Sequence, residues 1–274
     1  MYFKVSKKEF YNALSVASRA ISTFSPLPAF SGIKIDAKED CLILTGSDSD
    51  VSIQTKLTKS EECVLEIRDM GSIVIEAKYI LEIVRKIDAD EIEFEMIDGS
   101  LTKISGNTAE FRINGMRANE YPAIDFSKPK ECFALKEETL KKVILQTSFA
   151  TSDKETRPVL TGVNFHCEGN TLHCVATDSY RLAKKTIDIS ESLNFNITIP
   201  AKSLSEVVKT LEGEGEVEIA VNDKKAQFII HDTIVQTRLI DGVYPETSRL
   251  IPLQFDYELT IDSRDLLNAI DRAS

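Results

Sequence analysis

Apolar residues recur at helical spacing in five stretches of the chain. The first is Phe10, Ala13, Leu14, Ala17 and Ile21, with Lys8, Asn12, Ser15 and Arg19 on the other face. One buried stripe opposite one wet stripe predicts an amphipathic helix. Ser6-Lys7-Lys8-Glu9 before it reads as a capping box, in which the Ser hydroxyl and Glu carboxylate take orphan amides of the first turn. Ser25-Pro26-Leu27-Pro28 is expected to stop the helix. The second stripe is Ile80, Ile83, Val84 and Ile87, in a helix over 78–87. The third is Leu140, Val143 and Ile144, and the fourth is Leu204, Val207, Val208 and Leu211. The fifth is Leu266, Ala269, Ile270 and Ala273. Between helices the pattern changes. Strands are predicted through 31–35, 41–46 and 51–57. Glu91-Ile92-Glu93-Phe94-Glu95-Met96 alternates strictly, so one face meets a core and the other meets water. Asp98-Gly99 then turns the chain into a hairpin.

The order of elements repeats. Phe133-Ala134-Leu135 answers Phe3-Lys4-Val5, and Ile199-Pro200-Ala201-Lys202 answers Ile75-Glu76-Ala77-Lys78. Glu216-Val217-Glu218-Ile219 answers Glu91-Ile92-Glu93-Phe94, and Tyr244-Pro245 answers Tyr121-Pro122. Pro28, Gly32, Leu42, Asp48 and Ser49 recur 130 residues later as Pro158, Gly162, Leu172, Asp178 and Ser179. Each unit reads strand, helix, strands, helix, strands over roughly 125 residues, an ordinary domain size. Leu259-Thr260-Ile261 opens a third unit as a strand, and Asp262-Ser263-Arg264-Asp265 repeats the capping pattern. The sequence ends at Ser274, inside that unit's first helix. One strand and one helix cannot bury their own apolar face, so the third unit is expected to be cut short. The reading is an α+β chain divided at 1–127, 128–253 and 254–274.

Composition narrows the function. The chain has 274 residues, 42% hydrophobic and 28% charged, with a net charge of −11. That fits a soluble globular protein with more than one core. It argues against a generally basic nucleic-acid binder, while leaving room for a local basic surface. No apolar run approaches the roughly 20 residues of a membrane span, and Met1-Tyr2-Phe3-Lys4-Val5 lacks a signal-peptide core. The 5 cysteines have no framework spacing and read as free thiols in a reducing cytoplasm. No Gly-rich phosphate loop, His-Glu-x-x-His or Gly-x-Ser-x-Gly motif is present, and no cofactor is expected.

Two polar corners hold the densest chemistry, Ser47-Asp48-Ser49-Asp50 and Thr177-Asp178-Ser179-Tyr180. Short polar side chains at a strand end bond nearby backbone donors. The rival reading is an acidic hydrolase using Asp48 or Asp178. Each Asp sits at the same corner of its own unit, with no nucleophile or base close in sequence, so a structural corner is preferred. His166-Cys167 and His173-Cys174 flank Gly169-Asn170, a predicted hairpin turn. They are zinc-ligand types, but neighbours along a strand point to opposite faces. One face receives only part of the set, and no metal is expected.

Three motifs then point to a family. They are Val175-Ala176-Thr177-Asp178-Ser179-Tyr180-Arg181-Leu182-Ala183, Arg157-Pro158-Val159-Leu160-Thr161-Gly162, and Asp241-Gly242-Val243-Tyr244-Pro245-Glu246 with Arg249-Leu250-Ile251-Pro252. With Leu27-Pro28, they resemble the bacterial DNA polymerase III beta subunit, the sliding-clamp family, along the whole chain. The resemblance implies clamp-type repeats, each with two helices on the inner face and antiparallel sheets outside. It implies three domains per chain and a homodimeric ring around double-stranded DNA. The function implied is processivity without catalysis: tethering the replicative polymerase to DNA and docking partner peptides. The implied partners are duplex DNA of any sequence, the DNA polymerase III alpha subunit, the clamp loader and other clamp-motif proteins. Because most of the third domain is missing here, the expectation is a monomer. A further reading is a truncated clamp that binds peptides without encircling DNA.

The resemblance also implies sites. It places Leu160, Thr177, Ser179, Tyr180, Arg181, Leu182, Pro245, Arg249 and Leu250 in a partner-peptide pocket. Taken alone, Leu160, Leu182 and Leu250 read as core and Arg181 as a surface charge; the family match outweighs that reading. DNA-facing residues are expected at Arg19, Lys78, Lys142, Lys202 and Lys209 on helix faces, at Lys154 in the loop 152–155, and at Arg157. Phe24 stands where well-known members carry an Arg, and Arg19 is expected to substitute. Glu91, Glu93, Glu95, Glu216 and Glu218 would face outward, leaving a positive bore within a negative exterior.

Overall fold

Phe3, Phe10 and Phe94 lie fully buried at the centre of the first repeat. Phe3 stacks on Phe94 at 4.7 Å, and Phe10 meets Phe3 edge-on at 5.7 Å. The structure, a computed structural model, describes residues 1–22, 27–252 and 254–273. Its first compact unit, Met1–Gly242, holds the strands and α-helices of both repeats. The first repeat begins β1 (Tyr2–Ser6), α1 (Lys7–Ser18), β2 (Gly32–Ala37), β3 (Cys41–Ser47) and β4 (Val51–Thr58). It continues β5 (Leu65–Asp69), β6 (Gly71–Glu76), α2 (Ala77–Lys86), β7 (Glu91–Asp98), β8 (Leu101–Gly106), β9 (Ala109–Asn114) and β10 (Met116–Arg117). The second repeat is β11 (Glu131–Lys136), α3 (Glu137–Thr147), β12 (Gly162–Thr177), β13 (Leu182–Pro200), α4 (Ala201–Thr210), β14 (Glu216–Val221), β15 (Lys225–Ile230) and β16 (Thr233–Arg238). The helix stripes are buried as their spacing predicts: Phe10, Leu14 and Ala17 on α1, Ile80 and Val84 on α2, Leu140, Val143 and Ile144 on α3, and Leu204 and Val207 on α4.

The capping box is a correction. The Ser6 hydroxyl caps no amide of α1; it accepts the Val64 N–H at 2.8 Å. Ser6 is the last residue of β1, which pairs with β5, so the sheet claims the group first. α1 also ends earlier than its pattern, at Ser18. The Ser18 hydroxyl donates back to Ser15 O at 2.8 Å, and the Arg19 and Ala20 amides donate three residues back. Such bonds tighten a last turn and end the α-geometry. Of the expected stop signal, Ser25 and Pro26 lie outside the described residues.

The strands form a five-stranded sheet, β5-β1-β7-β8-β9, and a nine-stranded sheet, β10-β6-β2-β3-β4-β16-β15-β14-β11. The second crosses from one repeat to the other where β4 pairs with β16, from Thr55 opposite Thr233 to Val51 opposite Thr237. Val51 and Ile53 of β4, with Ala20, pack into the core of the second repeat. The third sheet pairs β12 with β13. Gly169 faces Leu193 while Thr171 faces Asp188, so the partner jumps at Gly169-Asn170. The His166 and His173 rings stack at 6.4 Å, whereas seven residues of straight strand would separate them by roughly 23 Å. β12 therefore folds back on itself at Gly169, whose φ of 63° suits such a turn.

The second compact unit, Val243–Ser274, contains α5 (Ser263–Ala273). Asp262 Oδ1 accepts the Arg264 and Asp265 amides at 2.9 and 3.1 Å, so this helix start does carry a side-chain cap. The strand expected at Leu259-Thr260-Ile261 does not form. In the first repeat β1 is held between β5 and β7; among the described residues of this unit no strand offers such a ladder.

Candidate functional site

The second polar corner joins β12 to β13. The Thr177 hydroxyl donates to Arg181 O at 2.7 Å and accepts the Ser179 N–H at 3.1 Å. Asp178 Oδ1 accepts the Tyr180 and Arg181 amides, each at 2.9 Å. Ser179 takes a φ of 79°, uncommon for a residue with a Cβ. The first corner repeats the scheme. The Ser47 hydroxyl donates to Val51 O and accepts the Ser49 N–H, while Asp48 Oδ1 accepts the Asp50 and Val51 amides at 3.1 and 2.8 Å. Ser49 has a φ of 85°. Both carboxylates are thus occupied in holding a turn. They differ in the outer oxygen: Asp178 Oδ2 takes Arg181 Nε at 3.1 Å, and Asp48 Oδ2 takes Lys202 Nζ at 3.3 Å, from α4.

The amides of Arg181 and Tyr180 hold the Asp178 carboxyl below its ordinary value of 3.8. A group with a depressed folded pKa contributes stability above its unfolded pKa, and the contribution fades as pH falls through the folded one. Asp178→Asn is therefore expected to destabilise the protein at neutral pH, with the difference from wild type shrinking below about pH 4. Paired urea melts at pH 7 and pH 3 check this; a difference independent of pH would mean that the carboxylate charge has no part in the turn.

Of the predicted pocket residues, Thr177, Ser179, Tyr180, Arg181 and Leu182 make up this corner and the start of β13. Thr177 stands opposite Leu182 in the strand register. Leu182 is half-buried, Arg181 is exposed and Tyr180 is 97% exposed. Leu160 is buried in the turn Pro158–Thr161, just before β12. Phe149, which the sequence pattern did not single out, is 57% exposed and lies 5.8 Å under the Arg181 guanidinium. An apolar ring in a one-turn helix has no periodic signature to reveal it. Pro245 and Leu250 belong to the second unit, where both are exposed; the side chain of Arg249 lies outside the description.

The predicted DNA-facing cations are all exposed, but their surroundings differ. Lys142 pairs with Glu138 at 2.5 Å and Lys209 with Glu206 at 2.8 Å, along their own helices. Lys202 pairs with Asp48. Arg19 donates to Lys209 O at 2.7 Å, tying the end of α1 to α4. Lys78 sits 5.9 Å from the Tyr79 ring centroid, and Lys154 and Arg157 lie in the loop before β12. Phe24 is outside the described residues. The expected outward-facing acids are paired with lysines: Lys4 with Glu91, Lys103 with Glu95 and Lys128 with Glu218.

His166 and His173 share one face, while Cys167 and Cys174 are buried in the core. Burial holds His173 below the usual imidazole value and pushes the Cys174 thiol up. Among the described residues no group of three or more His, Cys, Asp or Glu could hold a metal ion, and no helix is long and apolar enough to cross a membrane.

Comparison with known proteins decides the family. The family description "DNA polymerase III beta subunit, N-terminal domain" matches residues 1–125, and "DNA polymerase III beta subunit, central domain" matches residues 134–246. The chain belongs to the bacterial sliding-clamp family. The beta sliding clamp of Bacillus subtilis is 39% identical over 279 residues, which cover 100% of this chain and 74% of that relative. A crystal structure of the Bacillus subtilis clamp superposes with a TM-score of 0.97 at 36% identity, over 100% of this chain and 73% of that one. A Bartonella birtlesii clamp, crystallised bound to griselimycin, superposes with a TM-score of 0.90 at 28% identity, over 99% of this chain and 73% of that one. The chain thus spans about three-quarters of the length of these clamps. Within the clamp fold the two corners occupy equivalent places in successive repeats, which accounts for Asp48 and Asp178 as structural residues.

Proposed function

We propose that this protein is a DNA sliding clamp, a processivity factor that tethers the replicative polymerase to duplex DNA and docks partner peptides at its second corner. The likeness to beta sliding clamps along the entire chain carries this reading. The clamp domains are residues 1–127 and 128–253, with 254–274 opening a third. The protein has no catalytic centre of its own, works in the cytoplasm and meets the alpha subunit, the clamp loader and other clamp-motif proteins through the corner. Leu160 and Leu182 receive apolar anchors of the peptide, beside Thr177, Ser179 and Tyr180, with Arg181 at the rim. Extended peptides commonly dock this way, with apolar pockets for side chains and polar groups fixing their orientation. Arg19, Lys78, Lys142, Lys154, Arg157, Lys202 and Lys209 face phosphate. A polypeptide of residues 1–274 alone is mainly monomeric in sedimentation at micromolar concentration; a stable closed dimer would contradict that.

The test is Leu182→Ala. A fully buried Leu typically costs about 2–5 kcal/mol when truncated; half-buried Leu182 should cost less, about 1–2 kcal/mol. Affinity for a labelled peptide from the tail of the polymerase alpha subunit should fall roughly tenfold, about 1.4 kcal/mol. Equal affinities with the fold intact would make Leu182 plain packing and move the pocket elsewhere.

A further inference from the structure

The first corner has a groove of its own. The 130-residue register carries Phe30 to Leu160, Ser47 to Thr177, Ser49 to Ser179 and Ser52 to Leu182, and Pro122 answers Pro245. The turns leading into the two corners are built alike. Pro28–Ser31 is closed by the Ser31 hydroxyl on Pro28 O at 2.7 Å, and Pro158–Thr161 by the Thr161 hydroxyl on Pro158 O at 2.8 Å. Phe30, Ser47, Ser49, Ser52 and Pro122 all line one groove of about 460 Å³, a size within the usual range of ligand sites. The first four are the repeat mates of the surface proposed above to dock peptides.

This groove lies wholly inside the first compact unit, and its far wall comes from the second repeat. Lys224, Lys225 and Arg238 line that wall. Lys225 is engaged by Asp125, through its carboxylate at 3.3 Å and its carbonyl at 2.6 Å. The exposed Lys224 and Arg238 then face a single further carboxylate, Asp50. The apolar part is Leu27, with 44% of its surface exposed, half-buried Ile124, and Phe30, which is buried against Tyr121. The neighbouring corner is also pinned, by Lys202 of α4 on Asp48.

We propose that this groove is a second docking site for an extended peptide, one that carries a large apolar side chain next to acidic residues. The apolar side chain enters between Leu27, Phe30 and Ile124, and the carboxylates meet Lys224 and Arg238. The choice of a peptide as ligand class rests on the reading of the second corner; the groove and its charge do not.

The experiment uses the whole 274-residue chain and a photoreactive, fluorescein-labelled hexapeptide, Gly-Leu-Phe-Asp-Asp-Gly, with Gly-Leu-Phe-Lys-Lys-Gly as its charge-reversed control. Cross-links to residues 27–30, 122–125 or 236–238 are expected with the acidic peptide and not with the basic one. The double variant Leu27→Ser, Arg238→Glu should lose this binding at least tenfold, with an unchanged melting curve, while Leu182→Ala leaves it intact. Cross-links confined to 160–182, or affinity untouched by the double variant, would overturn the second site without touching the first. Binding that survives Leu182→Ala but fails in the double variant would support the second site even if the first reading fails. A chain-to-chain cross-link through Lys224 without peptide would assign the groove to a second copy and overturn the proposal.

Discussion

Alanine at position 46 is expected to cost the protein a large part of its stability. A Cβ built on Gly46 would lie 2.1 Å from Ala17 O and 3.3 Å from the Ile21 side chain. The obstacle is the backbone of α1, which cannot swing aside as a flexible side chain can. α1 would have to lift off β3 and draw Leu14 and Ala17 out of the core. Overpacking a core usually costs about 1–3 kcal/mol; displacing a whole helix puts Gly46→Ala at or above the top of that range. That is a large fraction of the roughly 5–15 kcal/mol that holds a domain folded. The repeat mate, Ala176, is fully buried and carries its methyl without difficulty, so the close approach belongs to α1 on β3 and is not demanded by the fold. A urea melt decides it: a midpoint equal to wild type would mean that α1 stands further from β3 than described.

Binding to duplex DNA is expected to be weak, indifferent to base sequence and steeply lost with salt. If all seven proposed cations neutralised phosphates, log K would fall with log salt at a slope of about −6. Three of them, Lys142, Lys202 and Lys209, already hold carboxylates. Arg19, Lys78, Lys154 and Arg157 carry no such pair among the described residues. Four contacts give a slope of about −3.6, or a loss of roughly a hundredfold between 50 and 200 mM salt. Glu138→Gln and Glu206→Gln, which release Lys142 and Lys209, should each steepen the slope by about 0.9 and tighten binding at low salt. Fluorescence anisotropy on a labelled duplex across a salt series measures this. Affinity flat in salt, or a footprint that follows sequence, would remove the cationic-face account.

The helices were legible in the sequence because a 3.6-residue stripe is intrinsic to the segment that carries it. The corners were legible because Thr, Asp and Ser act on their own backbone. What could not be read was non-local. Ser6 looks like a cap until Val64, 58 residues away and just before β5, arrives to claim it. Lys202 looks like a free cation until Asp48, 154 residues distant, comes within reach. β5 and β9 escaped prediction for a related reason. Leu65-Glu66-Ile67-Arg68-Asp69 buries only its first residue, and β9 buries none; edge strands are held by backbone ladders more than by an apolar face. Leu259-Thr260-Ile261 shows the converse, a strand pattern with no ladder to join.

The seam between the repeats has a mechanical consequence. A hinge needs chain that can change its torsions without breaking hydrogen bonds. Here the joint is a strand pair, β4 on β16, reinforced by the Thr55 and Thr233 hydroxyls at 3.0 Å, by Lys202 on Asp48 and by Arg19 on Lys209 O. Bending about it would unzip that ladder and pull Val51 and Ile53 out of the neighbouring core. The first two repeats therefore move as a single stiff body, and a partner that needs the molecule to flex does not find that flexibility at this seam.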